Sequence, residues 1–315
     1  MVTLGEAMLR LTAAAPARLE QAAALELHVA GSEANVAAGL ARLGVATRWI
    51  GALPDNPLGA RVAAELTAAG VDLSGVAWAP AGRLGLFFAE EGVPPRPTTV
   101  WYDRRDSAFT ALEGFDPALL DGARFAVVSG ITPALGDRSR ALTEAFAAAA
   151  SERAAGVCVD VNYRERLWTP EAAREGLRGL LGAAEVLVCG ARDARLVFGC
   201  EGDEPAVLAQ LRERWALSAR VVVLTRGEDG ALASDADGRT AEQAGVRTEV
   251  VDRFGAGDAF MAGLLWGLLE HDLELGLKAG VTLAALKCSI RGDLARFGRD
   301  ELERAMRSSG GGMIR

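Results

Sequence analysis

The stretch Val250-Val251-Asp252-Arg253-Phe254-Gly255-Ala256-Gly257-Asp258-Ala259-Phe260-Met261-Ala262-Gly263 organises the chain. Its two leading valines read as the end of a strand. A glycine turn follows, and then an uncharged run from Ala259 to Leu269 that reads as a helix buried on most sides. Gly255 and Gly257 allow a tight turn and a close approach of backbone N–H groups to a ligand. A helix starting here has unpaired N–H groups and a partial positive charge at its first turn, a site for a phosphate or a developing anion. Asp258 stands at that helix start, where it caps the helix or acts as a base toward the same anion hole. A capped glycine turn without chemistry is the plain alternative, and the stretch alone does not choose between them.

Length and composition narrow the classes. The 315 residues allow one large α/β domain or two smaller ones, and half of them are hydrophobic, enough for a sizeable core. A net charge of −8 argues against a nucleic-acid binder. Cys158, Cys189, Cys200 and Cys288 are scattered without a CxxC pair, so reduced thiols are expected rather than disulfides or a metal site. His28 and His271 are the only histidines, too few for a histidine-based metal centre. The N-terminus lacks a basic stretch followed by an apolar one, and no apolar run approaches membrane-spanning length. A soluble, cytoplasmic protein is expected.

Outward from the glycine turn the chain has a βαβ rhythm. Val2–Leu4 reads as a strand ending at Gly5-Glu6, where Glu6 points into a site or lies in a solvated loop. Leu25–Ala30 alternates as a half-exposed strand. Gly31-Ser32-Glu33-Ala34-Asn35 then leads into a helix over Val36–Leu43. Ser32 suits an N-cap; alternatively Gly31 lets a polyol approach the backbone while Asn35 hydrogen-bonds a hydroxyl. A strand over Thr47–Gly51 and a helix over Ala60–Ala69 follow. The rhythm breaks at two strands, Leu84–Ala89 and Thr98–Tyr102, which suggest a small separate sheet able to cover a site. Tyr102 and Arg104 share one face at its end, and an arginine there suits a carboxylate-bearing substrate; a solvated charged loop is the alternative.

The rhythm resumes with strands at Phe125–Ser129, Gly156–Val161, Val186–Cys189, Val221–Leu224 and Ala231–Ser234. Helices are expected over Ser139–Ala155, Glu171–Leu181, Asp193–Phe198 and Glu204–Trp215, then Leu273–Leu277 and Ala279–Leu286. Apolar strands alternating with helices indicate a mostly parallel sheet covered on both faces, with ligands at the carboxyl ends of its strands. Asn162-Tyr163-Arg164, Thr225-Arg226-Gly227 and Gly255–Asp258 all fall past strand ends, which points to one shared site. Thr225–Gly230, with its two glycines, is either an ordinary connection or a backbone cradle for a nucleotide.

Three motifs in this order resemble the ribokinase-like (PfkB) carbohydrate kinases over nearly the whole chain: Gly31–Ala37, Thr225–Gly230 and Asp252–Asp258. Within that family the 2-keto-3-deoxygluconate kinases are most similar, on Gly5–Met8, Tyr102-Asp103-Arg104, Ser129–Leu135 and Asp160–Arg164 with Leu167-Trp168. The resemblance implies one kinase domain over 1–315. It would have a mostly parallel sheet between helices, a small β-sheet lid from roughly 8–32 and 80–108, and a frayed tail at 308–315. It implies ATP-dependent phosphorylation of the terminal hydroxyl of 2-keto-3-deoxygluconate, with Mg²⁺, a possible monovalent cation, and homo-oligomers through lid surfaces.

By the same resemblance Asp258 is the base, and the Gly255, Ala256 and Gly257 amides form the anion hole. Arg164 assists catalysis. Gly31, Asn35, Tyr102, Arg104, Arg164 and Asp293 contact the sugar acid, and Asn162, Arg164, Thr225, Arg226, Gly227, Gly230, Gly255 and Gly257 the nucleotide. The chain departs from the family at four places, one of them near Val281-Thr282, where some relatives have a polar residue beside the adenine, so no adenine contact is assigned. Ala30 stands where a glycine is frequent, and Asp103 where a tyrosine is. The Asn-x-x-Glu motif linked to Mg²⁺ falls on Gly190-Ala191-Arg192-Asp193, so no metal ligand is assigned. A neutral-sugar or nucleoside kinase is the competing reading, and a non-catalytic sensor the third.

Overall fold

The computed structural model describes residues 1–307 apart from Ala15 and Pro94, so the tail expected to fray at 308–315 lies outside the described residues. In chain order the first half comprises β1 (Val2–Leu4), β2 (Met8–Thr12), β3 (Glu26–Ala30), α1 (Ser32–Arg42), β4 (Arg48–Pro54), α2 (Pro57–Ala69), β5 (Asp72–Ala79), β6 (Gly85–Glu90), β7 (Thr99–Asp103), β8 (Phe125–Ser129) and α3 (Asp137–Glu152). The second comprises β9 (Gly156–Asp160), α4 (Pro170–Ala183), β10 (Ala184–Gly190), α5 (Ala191–Phe198), α6 (Glu204–Trp215), β11 (Val221–Thr225), β12 (Ala231–Asp235), β13 (Thr240–Gln243), α7 (Ala256–Leu269), α8 (Leu273–Cys288) and α9 (Arg299–Arg307).

Nine strands form the large sheet in the order β13-β12-β11-β10-β9-β8-β1-β4-β5. It is parallel from β11 to β5, and β12 and β13 add antiparallel at one edge. Side chains of its apolar strands alternate between two cores, as the pleat requires. Val128, Val159, Leu187 and Val222 face α3, α4, α5 and α6. Val127, Cys158, Val186 and Val223 face α1, α7, α8 and α9. The α7 helix is buried from Asp258 through Leu268, with Met261, Leu264 and Leu265 fully enclosed. Each such side chain contributes roughly 1.5–3 kcal/mol by leaving water.

The small sheet runs β3-β2-β6-β7. It is mixed: β2 pairs antiparallel with β3 and parallel with β6, and β6 pairs antiparallel with β7.

Several expectations need correction. Val250 and Val251 are not in a strand; they are half-exposed, and Val251 N–H and Asp252 N–H both donate to the Cys288 carbonyl at the end of α8. The glycine turn is therefore hung from a helix end rather than a strand end. Strand β5 escapes sequence reading because Asp72, Ser74 and Gly75 interrupt its apolar pattern at the edge of the large sheet. Strands β2 and β13 and helix α9, where only Leu302 is buried, were not expected. The two helices expected over 273–286 are one, α8.

Candidate active site

Gly31 sets the floor of the cleft between the sheets. Its φ of 133° lies in the region that suits glycine, and a Cβ there would stand 2.4 Å from the Glu6 carbonyl oxygen. The N-cap of α1 is Gly31, which rules out Ser32 as the cap, one of the two readings the sequence left open. Ser32 is thereby released from capping and becomes the first helical residue. Its hydroxyl donates to Asp258 Oδ1 at 2.6 Å, and Asn35 Nδ2 donates to Asp258 Oδ2 at 2.7 Å. Asn162 Nδ2 in turn donates to Ser32 Oγ at 3.1 Å, which places Asn162 beside the carboxylate.

Asp258 does not cap α7. The N-cap is Gly255, at φ 79°, packed so tightly that a Cβ would meet the Asp293 carbonyl oxygen at 2.0 Å. Ala256, Gly257 and Asp258 form the first helical turn, whose N–H groups have no intrahelical acceptors. Open space lies in front of Gly257, where a Cβ would meet nothing within 4 Å. Burial raises the Asp258 carboxyl above its ordinary range, against the hydrogen bonds from Ser32 and Asn35 and the charges of Arg164 and Lys287.

One cavity gathers Gly31, Asn35, Tyr102, Arg104, Arg164, Gly255, Asp258 and Asp293, together with Glu6, Ser32, Arg166 and Phe254. The small sheet supplies its roof through Phe87 and Tyr102, whose rings lie 5.5 Å apart. Arg166 ties roof to floor by donating to the Val100 carbonyl of β7.

The charges are paired differently from the sequence reading. Arg104 already holds a protein carboxylate: its Nε donates to Glu6 Oε2 at 2.8 Å, and Nη2 donates to the same oxygen. Glu6 is buried, and its Oε1 has no partner among the described residues. Asp293 pairs with Arg10, Nε to Oδ1 at 2.9 Å, and burial pushes its carboxyl up to about 7. Arg164 lines the cavity with no side-chain hydrogen bond or ion pair among the described residues. Asp103 points elsewhere, bridging to Arg83.

The strand ends β9, β10 and β11 form the neighbouring surface. Gly190 and Thr225 are register partners, and a Cβ on Gly190 would sit 3.7 Å from Asp193 and 3.8 Å from Thr225. Asp193 accepts from the Tyr163 N–H at 3.2 Å. Burial raises the Asp160 carboxyl to about 8, aided by Asp258 and Asp193 and opposed by Arg164. Arg226 turns its guanidinium into an ion-pair cluster with Glu204 and Glu242, so it shapes the Thr225–Gly230 turn rather than facing a ligand. Gly230 packs on the chain after β13, where a Cβ would meet the Gln243 carbonyl oxygen at 2.0 Å. Gly227 is open, with nothing within 4 Å of such a Cβ.

Sequence reading missed Arg10, Glu33 and Lys287. Glu33 accepts from Ser129 N–H, Ser129 Oγ and Thr132 Oγ1 and staples α1 to the end of β8. Arg10 alternates in a strand and meets partners 242 residues away, which no local pattern encodes. Among the described residues no cluster of three or more His, Cys, Asp or Glu could hold a metal, and no helix is long and apolar enough to cross a membrane.

Comparison with known proteins places this geometry. The model for the pfkB family of carbohydrate kinases matches residues 1–295. A 2-dehydro-3-deoxygalactonokinase of Haloferax volcanii is 40% identical over 318 residues, covering 100% of this chain and 99% of the relative. A 2-dehydro-3-deoxygluconokinase of Thermoproteus tenax is 31% identical over 303 residues, covering 93% and 89%. The crystal structure of a 2-dehydro-3-deoxygluconokinase from Thermotoga maritima superposes with a TM-score of 0.91 at 31% identity, covering 98% of each chain.

Proposed function

The chain belongs to the pfkB family of carbohydrate kinases, and we propose that it transfers the γ-phosphoryl group of ATP to the terminal hydroxyl of a 2-keto-3-deoxy sugar acid. The observation that carries this reading is Asp258: a buried carboxylate at a helix N-terminus, both oxygens held from α1, on the floor of a cavity with Arg104 and Arg164. Asp258 takes the proton of the terminal 6-hydroxyl. That oxygen bonds to the γ-phosphorus as the bond to the β–γ bridging oxygen breaks, and ADP leaves. The Gly255, Ala256 and Gly257 N–H groups and Arg164 offset charge on the phosphoryl group in flight. The nucleotide lies along the ends of β9, β10 and β11, against Asn162, Thr225, Gly227 and the main chain of Arg226 and Gly230.

An acid is favoured over a neutral sugar because Arg164 lines the cavity without a side-chain hydrogen bond or ion pair among the described residues, and the fork of Arg104 to Glu6 leaves its Nη1 without a partner among them. The unpartnered buried acceptors Glu6 Oε1 and Asn35 Oδ1 suit sugar hydroxyls. The residues read from sequence point to 2-keto-3-deoxygluconate. The Haloferax volcanii relative supports its galacto epimer as a second reading. Asp160, at the end of β9, and Asp193, just past β10, are the carboxyl groups that would hold a nucleotide-bound Mg²⁺ ion. When bound, that ion neutralises charge between the phosphates. The small sheet acts as a lid, and the exposed Trp101 on its edge strand β7, on the face opposite Tyr102, marks a surface for self-association.

The test is a coupled ADP-release assay with 2-keto-3-deoxygluconate, its galacto epimer, fructose, ribose and adenosine. The expected outcome is a kcat/KM for one or both sugar acids well above that for the other three. Preference for fructose or adenosine would overturn the acid reading.

A further inference from the structure

Two cations lie in the interior that the phosphoryl-transfer chemistry does not use. Arg10 of β2 and Lys287 of the last turn of α8 are both fully buried. Arg10 has carboxylate partners, donating to Asp252 Oδ2 at 2.5 Å and approaching Asp293 Oδ1 at 2.9 Å, with its guanidinium 4.4 Å above the Phe254 ring. Lys287 has none within ion-pair distance among the described residues. Its Nζ donates to the main-chain carbonyl of Asp252 at 2.8 Å and of Ile290 at 3.4 Å. Removing an ammonium from water is costly, and an apolar side chain at the end of an apolar helix would avoid the cost. The placement of this charge therefore calls for a purpose.

The two carbonyls belong to the two segments that make the glycine turn. Asp252 closes its own side of the turn: Oδ1 accepts from the Phe254 N–H at 3.0 Å, and Oδ2 from the Gly292 N–H at 3.0 Å. Gly255 presses against the Asp293 carbonyl, so residues 252–255 and 290–293 are clamped together. The Lys287 ammonium reaches both halves of the clamp, with the negative charges of Asp252 and Asp293 around it. Downstream of the clamp lie the Gly255 cap and the first turn of α7.

We propose that the Lys287 ammonium is a built-in cation at this clamp. It makes Lys287 a positioning residue that fixes the Asp252–Gly255 turn and aims the anion hole, and it removes any need for an added monovalent cation. The catalytic half of this inference rests on the phosphoryl-transfer reading; the structural half does not.

Lys287→Met keeps the side-chain length and removes the charge. In that variant kcat falls ~10- to 100-fold while KM for the sugar acid changes by less than ~3-fold, because the anion hole engages the group only in transfer. Lys287→Ala leaves a carbonyl-lined space, and ammonium, methylammonium or K⁺ salts restore its rate by ~10-fold or more. The same salts leave Lys287→Met unchanged. The unaltered protein turns over at rates within ~2-fold in K⁺, Na⁺ and tetramethylammonium chloride.

Amide hydrogen exchange reads the turn without any turnover: the peptide over 250–258 exchanges faster in Lys287→Met, while peptides from α3 and β9 do not. A normal kcat in Lys287→Met, a folded but salt-insensitive Lys287→Ala, unchanged exchange at 250–258, or stimulation of the unaltered protein by K⁺ or Na⁺ would each overturn the proposal. Should neither variant fold, as read by circular dichroism, the salt comparison on the unaltered protein decides it. An unaltered protein inactive on every sugar acid would remove the reaction reading, and the exchange comparison would still decide the clamp.

Discussion

Asp258 has one oxygen held by Ser32 and the other by Asn35, so its charge can be removed while its geometry is kept. Asp258→Asn is expected to lower kcat by at least ~10²-fold, the lower end for loss of a general base, with an unchanged melting curve. Near-normal turnover would exclude the base role. Because burial raises this carboxyl, kcat should fall on the acid side at a pH above the ordinary carboxylate range, as Asp258 takes up a proton. Arg104 requires a double variant. It is paired to buried Glu6, with side-chain exposures of 11% and 2%, so Arg104→Ala alone strands a carboxylate and is expected to cost about 3–5 kcal/mol of stability. Adding Glu6→Gln should restore the melting temperature. Discrimination for the sugar acid over fructose should remain lost, by roughly ten- to a hundred-fold, as befits one charged hydrogen bond of about 1.5–3 kcal/mol. Recovery of discrimination along with stability would make Arg104 a structural partner of Glu6 only.

At the level of elements the decisive unit is the start of α7. Gly257→Ala adds a methyl group where nothing lies within 4 Å, inside a helix. The variant is expected to fold as well as the parent or better, by up to ~1 kcal/mol from helix propensity. It should lose most of its kcat, because the methyl group stands where a phosphoryl group approaches. Retained activity would move the anion hole away from Gly257. This helix was legible in sequence because an uncharged run after a glycine turn has few other readings. What stayed hidden has a physical reason in each case. Strand β5 is carried by pairing to β4, not by its own apolar pattern. Helix α9 covers the second core with Leu302 and the partly buried Met306 and is otherwise mostly charged. Val250 and Val251 suggested a strand, yet they are exposed. The site residues carried by motifs were legible. The pairing of their charges was not, because Glu6 meets Arg104 and Arg10 meets Asp252 through tertiary contacts 98 and 242 residues apart.

Over the whole molecule, the acidic group formed by Asp160 with Asp193 and Asp258 links stability to pH. Asp160 titrates at about 8 in the fold against an ordinary value of 3.8. The folded state therefore holds this proton more tightly than the unfolded chain. The associated stability is complete below the unfolded value and is lost as pH rises toward 8. Asp160→Asn should raise the melting temperature at pH 8.5 by roughly 3 °C or more, the shift that about 1 kcal/mol gives in a chain of this size. The gain should shrink at pH 5, and an equal gain at both would refute the linkage. Self-association through β7 predicts a mass above the monomer by light scattering at micromolar concentration, and dispersal by Trp101→Arg; a monomeric parent would dismiss it. Helix α7 has a further consequence. It carries the carboxylate at one end and is enclosed by core along its length, from Asp258 to Leu268. No loosening of the second core can spare the chemistry, so turnover doubles as a thermometer of the native state: heat-inactivation and loss of helical signal should follow one curve.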